Sequence, residues 1–229
     1  MRAEFRHRLD SLEAGLQEQG ELCLRAVRGA VTALSSQDAE LCDEVIAFDD
    51  EIDGRYHRIE RLIEETLALE TPVAGDLRLV LAVLHAAIHL ERIGDQAVTI
   101  AKLTKLTADL ETQHDLVEGL CEMGERCEEM VRIALDSFSA RDLERARSLA
   151  DLDELVDRTN RRVSDKVLEM AASPGLQEWG MRMVVVARCL ERIGDNAVDI
   201  GEQVAFVVTG LFREFTDASH PQPASPSTS

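Results

Sequence analysis

Apolar residues return every third or fourth position along most of the chain, the period of one buried helix face, and polar or turn-forming residues interrupt them. The uninterrupted runs predict six helices: about Arg2 to Leu34, Asp38 to Leu69, Asp76 to Thr107, Asp109 to Phe138, Asp142 to Ala172 and Gln177 to Phe212. Ser35-Ser36, Ser139-Ala140-Arg141 and Ser173-Pro174-Gly175 are among the breaks. Asp38 is placed to cap the second helix, Pro72 to end it and Asp76 to cap the third. A carboxylate accepts the free N–H groups of a first turn, and proline cannot continue a helix. Helices of roughly thirty residues are about 45 Å long and, joined by short connections, run antiparallel to their neighbours.

A repeat groups the six helices into two sets of three. Leu90-Glu91-Arg92-Ile93-Gly94-Asp95 recurs as Leu190 to Asp195, and Ala97, Val98 and Ile100 recur at the same offset as Ala197, Val198 and Ile200. The expected fold is all-α, two tandem pseudo-symmetric three-helix bundles of long antiparallel helices. Residues 1–107 form the first bundle and 108–213 the second. The remaining residues, 214–229, lack apolar periodicity and, rich in Pro and Ser from Ala218 on, predict a disordered tail.

Acidic residues occupy positions where the pattern asks for apolar ones. In the third helix Leu84, Ile88, Glu91, Asp95 and Val98 are spaced four, three, four and three apart, which puts both carboxylates on the apolar stripe. An ionised carboxylate there needs a cation, hydrogen-bond donors or a raised pKa. Glu191 and Asp195 repeat the arrangement. The preceding helix of each half adds a second pair, Asp49 with Asp53 beside the stripe Val45, Ile52, Ile59 and Ile63, and Asp153 with Asp157.

Two readings stand. Four carboxylates converging from two helices offer oxygen ligands to a hard or borderline cation, one metal site per bundle. Alternatively Asp49, Asp50, Glu51 and Asp53 form a solvated acidic face, and Glu91 and Asp95 pair with Arg78, Arg92 or a partner's arginine. Gly94 and Gly194 interrupt helix interiors at a cost of about 1 kcal/mol each relative to alanine. They allow either close helix packing or space beside the acids for an ion. His85 and His89 lie outside the Glu-x-x-His spacing of di-iron bundles and are expected to be satisfied or exposed. No Gly-rich phosphate loop or G-x-S-x-G elbow is present, so no catalytic residue and no organic cofactor site are expected. The five cysteines show no C-x-x-C pair and predict neither a disulfide framework nor a thiolate zinc site.

Composition narrows the partners. Hydrophobic residues make up 45% of the chain, charged residues 30% and aromatic residues 3%, the balance of packed helices. The net charge of −19, from 44 acidic against 25 basic side chains, argues against direct nucleic-acid binding, which needs surplus Lys and Arg. No apolar run is long enough to span a bilayer, so no membrane insertion is expected. The charged start Met1 to Arg8 runs straight into helical periodicity without the apolar segment of a secretion signal, and cytoplasm is the expected location.

The chain resembles the phosphate-uptake regulator family PhoU over nearly everything except the tail. The residues that carry the resemblance are Pro72-Val73-Ala74-Gly75-Asp76-Leu77-Arg78 leading into Leu90 to Ala97, then Ala187 to Ala197, and the closing Gln203 to Gly210. The resemblance implies a duplicated three-helix fold whose E/D-x-x-x-D motifs can hold metal, iron or zinc in some members. At the matching positions Asp49, Asp53, Glu91, Asp95, Asp153, Asp157, Glu191 and Asp195 are all acids. Iron, zinc or manganese is therefore the expected cofactor. The resemblance further implies a negative regulator of phosphate uptake and phosphate-responsive signalling, an adaptor contacting a sensor histidine kinase and the phosphate ABC transporter ATPase, and a homodimer. The alternative function is a carboxylate-bridged metalloenzyme built in a helical bundle.

Overall fold

The computed structural model describes residues 2–170, 173 and 175–215. Among these the chain forms seven α-helices and no strand: α1 (Arg2–Ser36), α2 (Ala39–Glu70), α3 (Ala74–Leu106), α4 (His114–Ala140), α5 (Leu143–Arg147), α6 (Leu149–Glu169) and α7 (Gln177–Thr209). The architecture is the expected one. Helices α1 to α3 pack as one three-helix bundle, and α4, the α5–α6 pair and α7 as the second. The two bundles meet along α3 against α7 and along α1 against α4.

Local chemistry explains most helix ends. Asp38 accepts the amides of Glu40 and Leu41 at 2.9 and 3.1 Å, the expected cap of α2. Thr71 then takes a left-handed conformation ahead of Pro72. Asp76 does not cap α3: the helix begins two residues earlier at Ala74, and Asp76 lies in its first turn, where a negative charge still favours the helix dipole. The fourth helix starts at His114 rather than Asp109, because a turn closed by the Leu110 amide on the Thr107 carbonyl occupies the intervening residues. The last helix stops at Thr209 rather than Phe212, with Gly210 at φ 76° terminating it.

The expected single helix from Asp142 to Ala172 is two. It breaks at Ser148, whose hydroxyl donates to the Arg145 carbonyl at 2.7 Å and competes with the helical ladder. The break lets α5 and the start of α6 close on α7 at Gly201, where an added β-carbon would lie 2.7 Å from Leu149 Cδ1. Ala172 lies outside the described residues, as do residues 216–229 of the expected disordered tail. Residues 214 and 215 of that tail are described, and Phe215 packs against the core.

One stripe does not capture α3. Its buried residues include Val83, Ala86, Ala87, Leu90, Ile93, Ala97 and Ala101, because the helix is covered both by its own bundle and by α7. The line of Leu84, Ile88, Glu91 and Asp95 therefore runs along the margin of the buried face. Glu91 is half-buried and Asp95 exposed.

The repeat reappears in the packing. Cys23 in α1 donates its thiol to the Leu90 carbonyl at 3.1 Å, and Cys127 in α4 does the same to Leu190 at 3.1 Å. All five cysteines are free. Between the bundles, a β-carbon at Gly20 would sit 2.5 Å from Leu135 Cδ1, and one at Gly124 only 2.3 Å from Val31 Cγ2. These glycines let α1 and α4 approach more closely than any larger residue allows. His89 on α3 bridges to α7, with its Nδ1 2.9 Å from Asn196 Oδ1 and 3.2 Å from Asp199 Oδ2. This is the satisfied histidine expected.

Candidate metal centres

In the first bundle α2 and α3 cross where Ile52 fills the space above Gly94; a β-carbon on that glycine would lie 2.8 Å from Ile52 Cδ1. Close packing therefore accounts for Gly94. The crossing sets the pair Asp49 and Asp53 along one side of the seam and Glu91 and Asp95 along the other. Burial, then Asp95 and Asp53, raise the Glu91 carboxyl above its ordinary range. Asp95, though exposed, is raised by the partial desolvation of its carboxyl at the seam, then by Asp49 and Asp53, and Lys102 partly offsets this. Among the described residues none of these four acids forms an ion pair, so neither Arg78 nor Arg92 pairs with Glu91 or Asp95.

The second bundle differs in detail. Gly194 faces Asp153: an added β-carbon would lie 3.1 Å from Asp153 Oδ1. The missing side chain here leaves room beside an acid. Asp153 Oδ1 is buried without a hydrogen-bond partner. Burial, then Asp195 and Asp157, push its carboxyl up to about 7. Asp195 is raised too, by burial first, with Arg188 opposing. The other two motif acids take cations: Glu191 pairs with Arg188, and Asp157 lies 3.8 Å from Arg161 Nη1.

Asp153 and Asp195 open into a cleft of about 320 Å³ whose remaining lining is Val198, Asp199, Glu202, Phe212 and Glu214. Glu202 is buried, 4% exposed, and accepts the Phe215 amide at 2.8 Å. Its burial pushes the carboxyl up to about 7, against that hydrogen bond. The paired acids of the repeat leave out Asp199, Glu202 and Glu214, although Asp195 and Asp199 themselves stand at D-x-x-x-D spacing. Two of them had a visible signal: Asp195, Asp199 and Glu202 follow at helical spacing on one side of α7, where the first half has Thr99 and Lys102. Glu214 reaches the cleft through a turn that no periodicity describes.

The donors are carboxylate oxygens throughout, which suit hard and borderline cations, and the orphaned Asp153 oxygen is the kind of buried acceptor a cation satisfies. As the side chains stand, no three His, Cys, Asp or Glu groups among the described residues are gathered around one point. Bringing three of them onto one cation needs side-chain rotation.

Residues 16–104 and 120–204, one stretch in each bundle, match the PhoU domain. The chain belongs to the PhoU family. It is 30% identical over 215 residues to a phosphate-specific transport system accessory protein PhoU homolog of Clostridium acetobutylicum, an alignment covering 93% of this chain and 98% of the relative. It is 33% identical over 219 residues to the homolog of Pseudomonas aeruginosa, covering 95% and 88%. The crystal structure of PhoU from Pseudomonas aeruginosa superimposes with a TM-score of 0.85 at 31% identity, over 90% of this chain and 100% of that one. The phosphate transport system regulatory protein PhoU from Streptococcus pneumoniae does so with a TM-score of 0.85 at 27% identity, over 91% and 99%.

Proposed function

We propose that this PhoU-family chain is a cytoplasmic negative regulator of phosphate uptake and phosphate-responsive signalling, an adaptor between a sensor histidine kinase and the ATPase of a phosphate ABC transporter. The observation that supports it is full-length similarity to accessory proteins of phosphate-specific transport, across both bundles. The absence of a candidate membrane-crossing helix among the described residues agrees with a protein that meets membrane partners from one side. In this reading the chain catalyses nothing and acts through its surfaces, as a homodimer.

The motif acids are the proposed metal ligands, Asp49, Asp53, Glu91 and Asp95 in the first half and Asp153, Asp157, Glu191 and Asp195 in the second. A bound iron, zinc or manganese ion supplies positive charge that cancels the mutual repulsion and offers an attachment point for phosphate or a partner's acid. The chain's own part is to hold the seams: Ile52 over Gly94 sets one, and the space at Gly194 seats Asp153 in the other.

Elemental analysis of untagged protein never exposed to chelator, beside a variant carrying Glu91→Ala, Asp95→Ala, Glu191→Ala and Asp195→Ala, tests the metal. Near-stoichiometric metal lost in the variant is expected; equal content in both rejects these acids as ligands. Deleting the gene tests the regulation, and the expected outcome is phosphate-starvation transcription that stays on in high phosphate. Normal repression in the deletion strain removes the regulatory reading.

A further inference from the structure

The second carboxylate cleft has a roof, and the repeat-related place in the first bundle does not. After α7, Gly210 turns the chain back in a left-handed conformation, with the Arg78 guanidinium packed against it. The Leu211 amide is held by Thr209 Oγ1 at 3.1 Å. Phe212 and Glu214 then line the cleft. Phe215 closes the segment, its amide on Glu202 Oε1 at 2.8 Å and its ring 3.2 Å from where a Gly201 β-carbon would be. In the first bundle the chain after α3 runs through a turn into α4, and Lys102 stands where α7 has Glu202.

Two features give residues 211–215 a low opening cost. They form no helix or strand, and among the described residues their backbone is held by Thr209 Oγ1, which bonds the Leu211 amide and carbonyl, at one end and by the Phe215 amide on Glu202 at the other. Closing them also carries a charge penalty, because Glu214 is brought into a cleft already lined by Asp153, Asp195, Asp199 and Glu202. Five carboxylates along the lining of one cleft raise its negative potential, and a cation drawn in among them reverses the sign of that interaction.

We propose that residues 211–215 are a cation-responsive strap: a divalent cation in the second cleft holds it closed, and loss of the cation frees it. The proposal rests on reading Asp153 and Asp195 as cation ligands. It makes the two halves unequal, with only the second reporting its occupancy through a moving segment next to the end of α7. By reciprocity, whatever factor the cation contributes to strap closure, the closed strap contributes to cation affinity.

The test uses full-length protein with Glu91→Ala and Asp95→Ala to silence the first seam, and Mn²⁺ as the probe. Hydrogen exchange at the Phe215 amide is read with and without Mn²⁺, and Mn²⁺ affinity by calorimetry. Saturating Mn²⁺ is expected to slow Phe215 exchange about tenfold, and Phe215→Ala to weaken Mn²⁺ binding by a similar factor. Glu214→Gln, which keeps the strap's shape and removes its charge, is expected to slow Phe215 exchange without metal and reduce the Mn²⁺ response. Mn²⁺ that binds, is lost on Asp153→Ala, and leaves Phe215 exchange unchanged overturns the strap and leaves the cation site standing. Absence of any Mn²⁺ binding overturns both.

Discussion

At the residue scale, the Asp153 carboxyl makes the stability of the cation-free protein depend on pH. Its ordinary value of 3.8 is raised to about 7 by burial, then by Asp195 and Asp157. Between those values the folded state keeps a proton that the unfolded chain has released, so stability falls as pH rises through this window and stays low above it. Asp153→Asn is therefore expected to stabilise the metal-free protein at pH 8 by roughly 1–2 kcal/mol, a figure reduced for partial solvent screening. The gain disappears near pH 4, and saturating Mn²⁺, which binds the ionised carboxylate, reverses the order by stabilising the Asp153 protein over the Asn variant. Thermal melts at the two pH values, with and without metal, read all three outcomes; a pH-independent difference would contradict the assignment.

At the scale of elements, glycine positions within one helix carry opposite instructions. On α4, a β-carbon at Gly119 meets nothing within 4 Å, whereas one at Gly124 meets Val31 at 2.3 Å across the α1–α4 contact. Gly119→Ala should stabilise by up to about 1 kcal/mol through helix propensity alone. Gly124→Ala should destabilise by about 1–3 kcal/mol, because the bundles must separate to admit the methyl. Denaturant titration of the two variants checks the pair, and equal effects would mean that α1 and α4 are not in tight contact. Gly94 and Gly194 show the same divergence between repeats, one packed by Ile52 and the other opposite Asp153. Identical hexapeptides thus serve different local purposes, since their surroundings come from other helices whose sequences have diverged.

At the scale of the whole molecule, the net charge of −19 governs encounters with partners. Docking of the proposed kinase partner through a basic surface should weaken about tenfold when ionic strength rises from low to a few hundred millimolar, mainly through a slower association rate. Surface plasmon resonance across a salt series measures it, and a salt-independent rate removes the electrostatic basis for docking. The same charge is unevenly placed: α7 continues its motif with Asp199 and Glu202 where α3 has Thr99 and Lys102, so the two pseudo-symmetric halves present different electrostatics.

Helical periodicity and the repeated hexapeptide were enough to determine the all-α duplicated fold and to single out the eight motif acids, because both signals lie within one helix at a time. Only the tertiary structure decided what those acids meet. Glu191 and Asp157 take arginine partners, Asp153 keeps an orphaned oxygen, and the first-half acids stand without ion pairs among the described residues. It also split the fifth helix at Ser148 and drew Glu202, Glu214 and Phe215 into the second cleft. The physical reason is that a helix pattern fixes which face is apolar, whereas the axial offset and rotation between helices, and the path of a turn, are set by packing across the whole core.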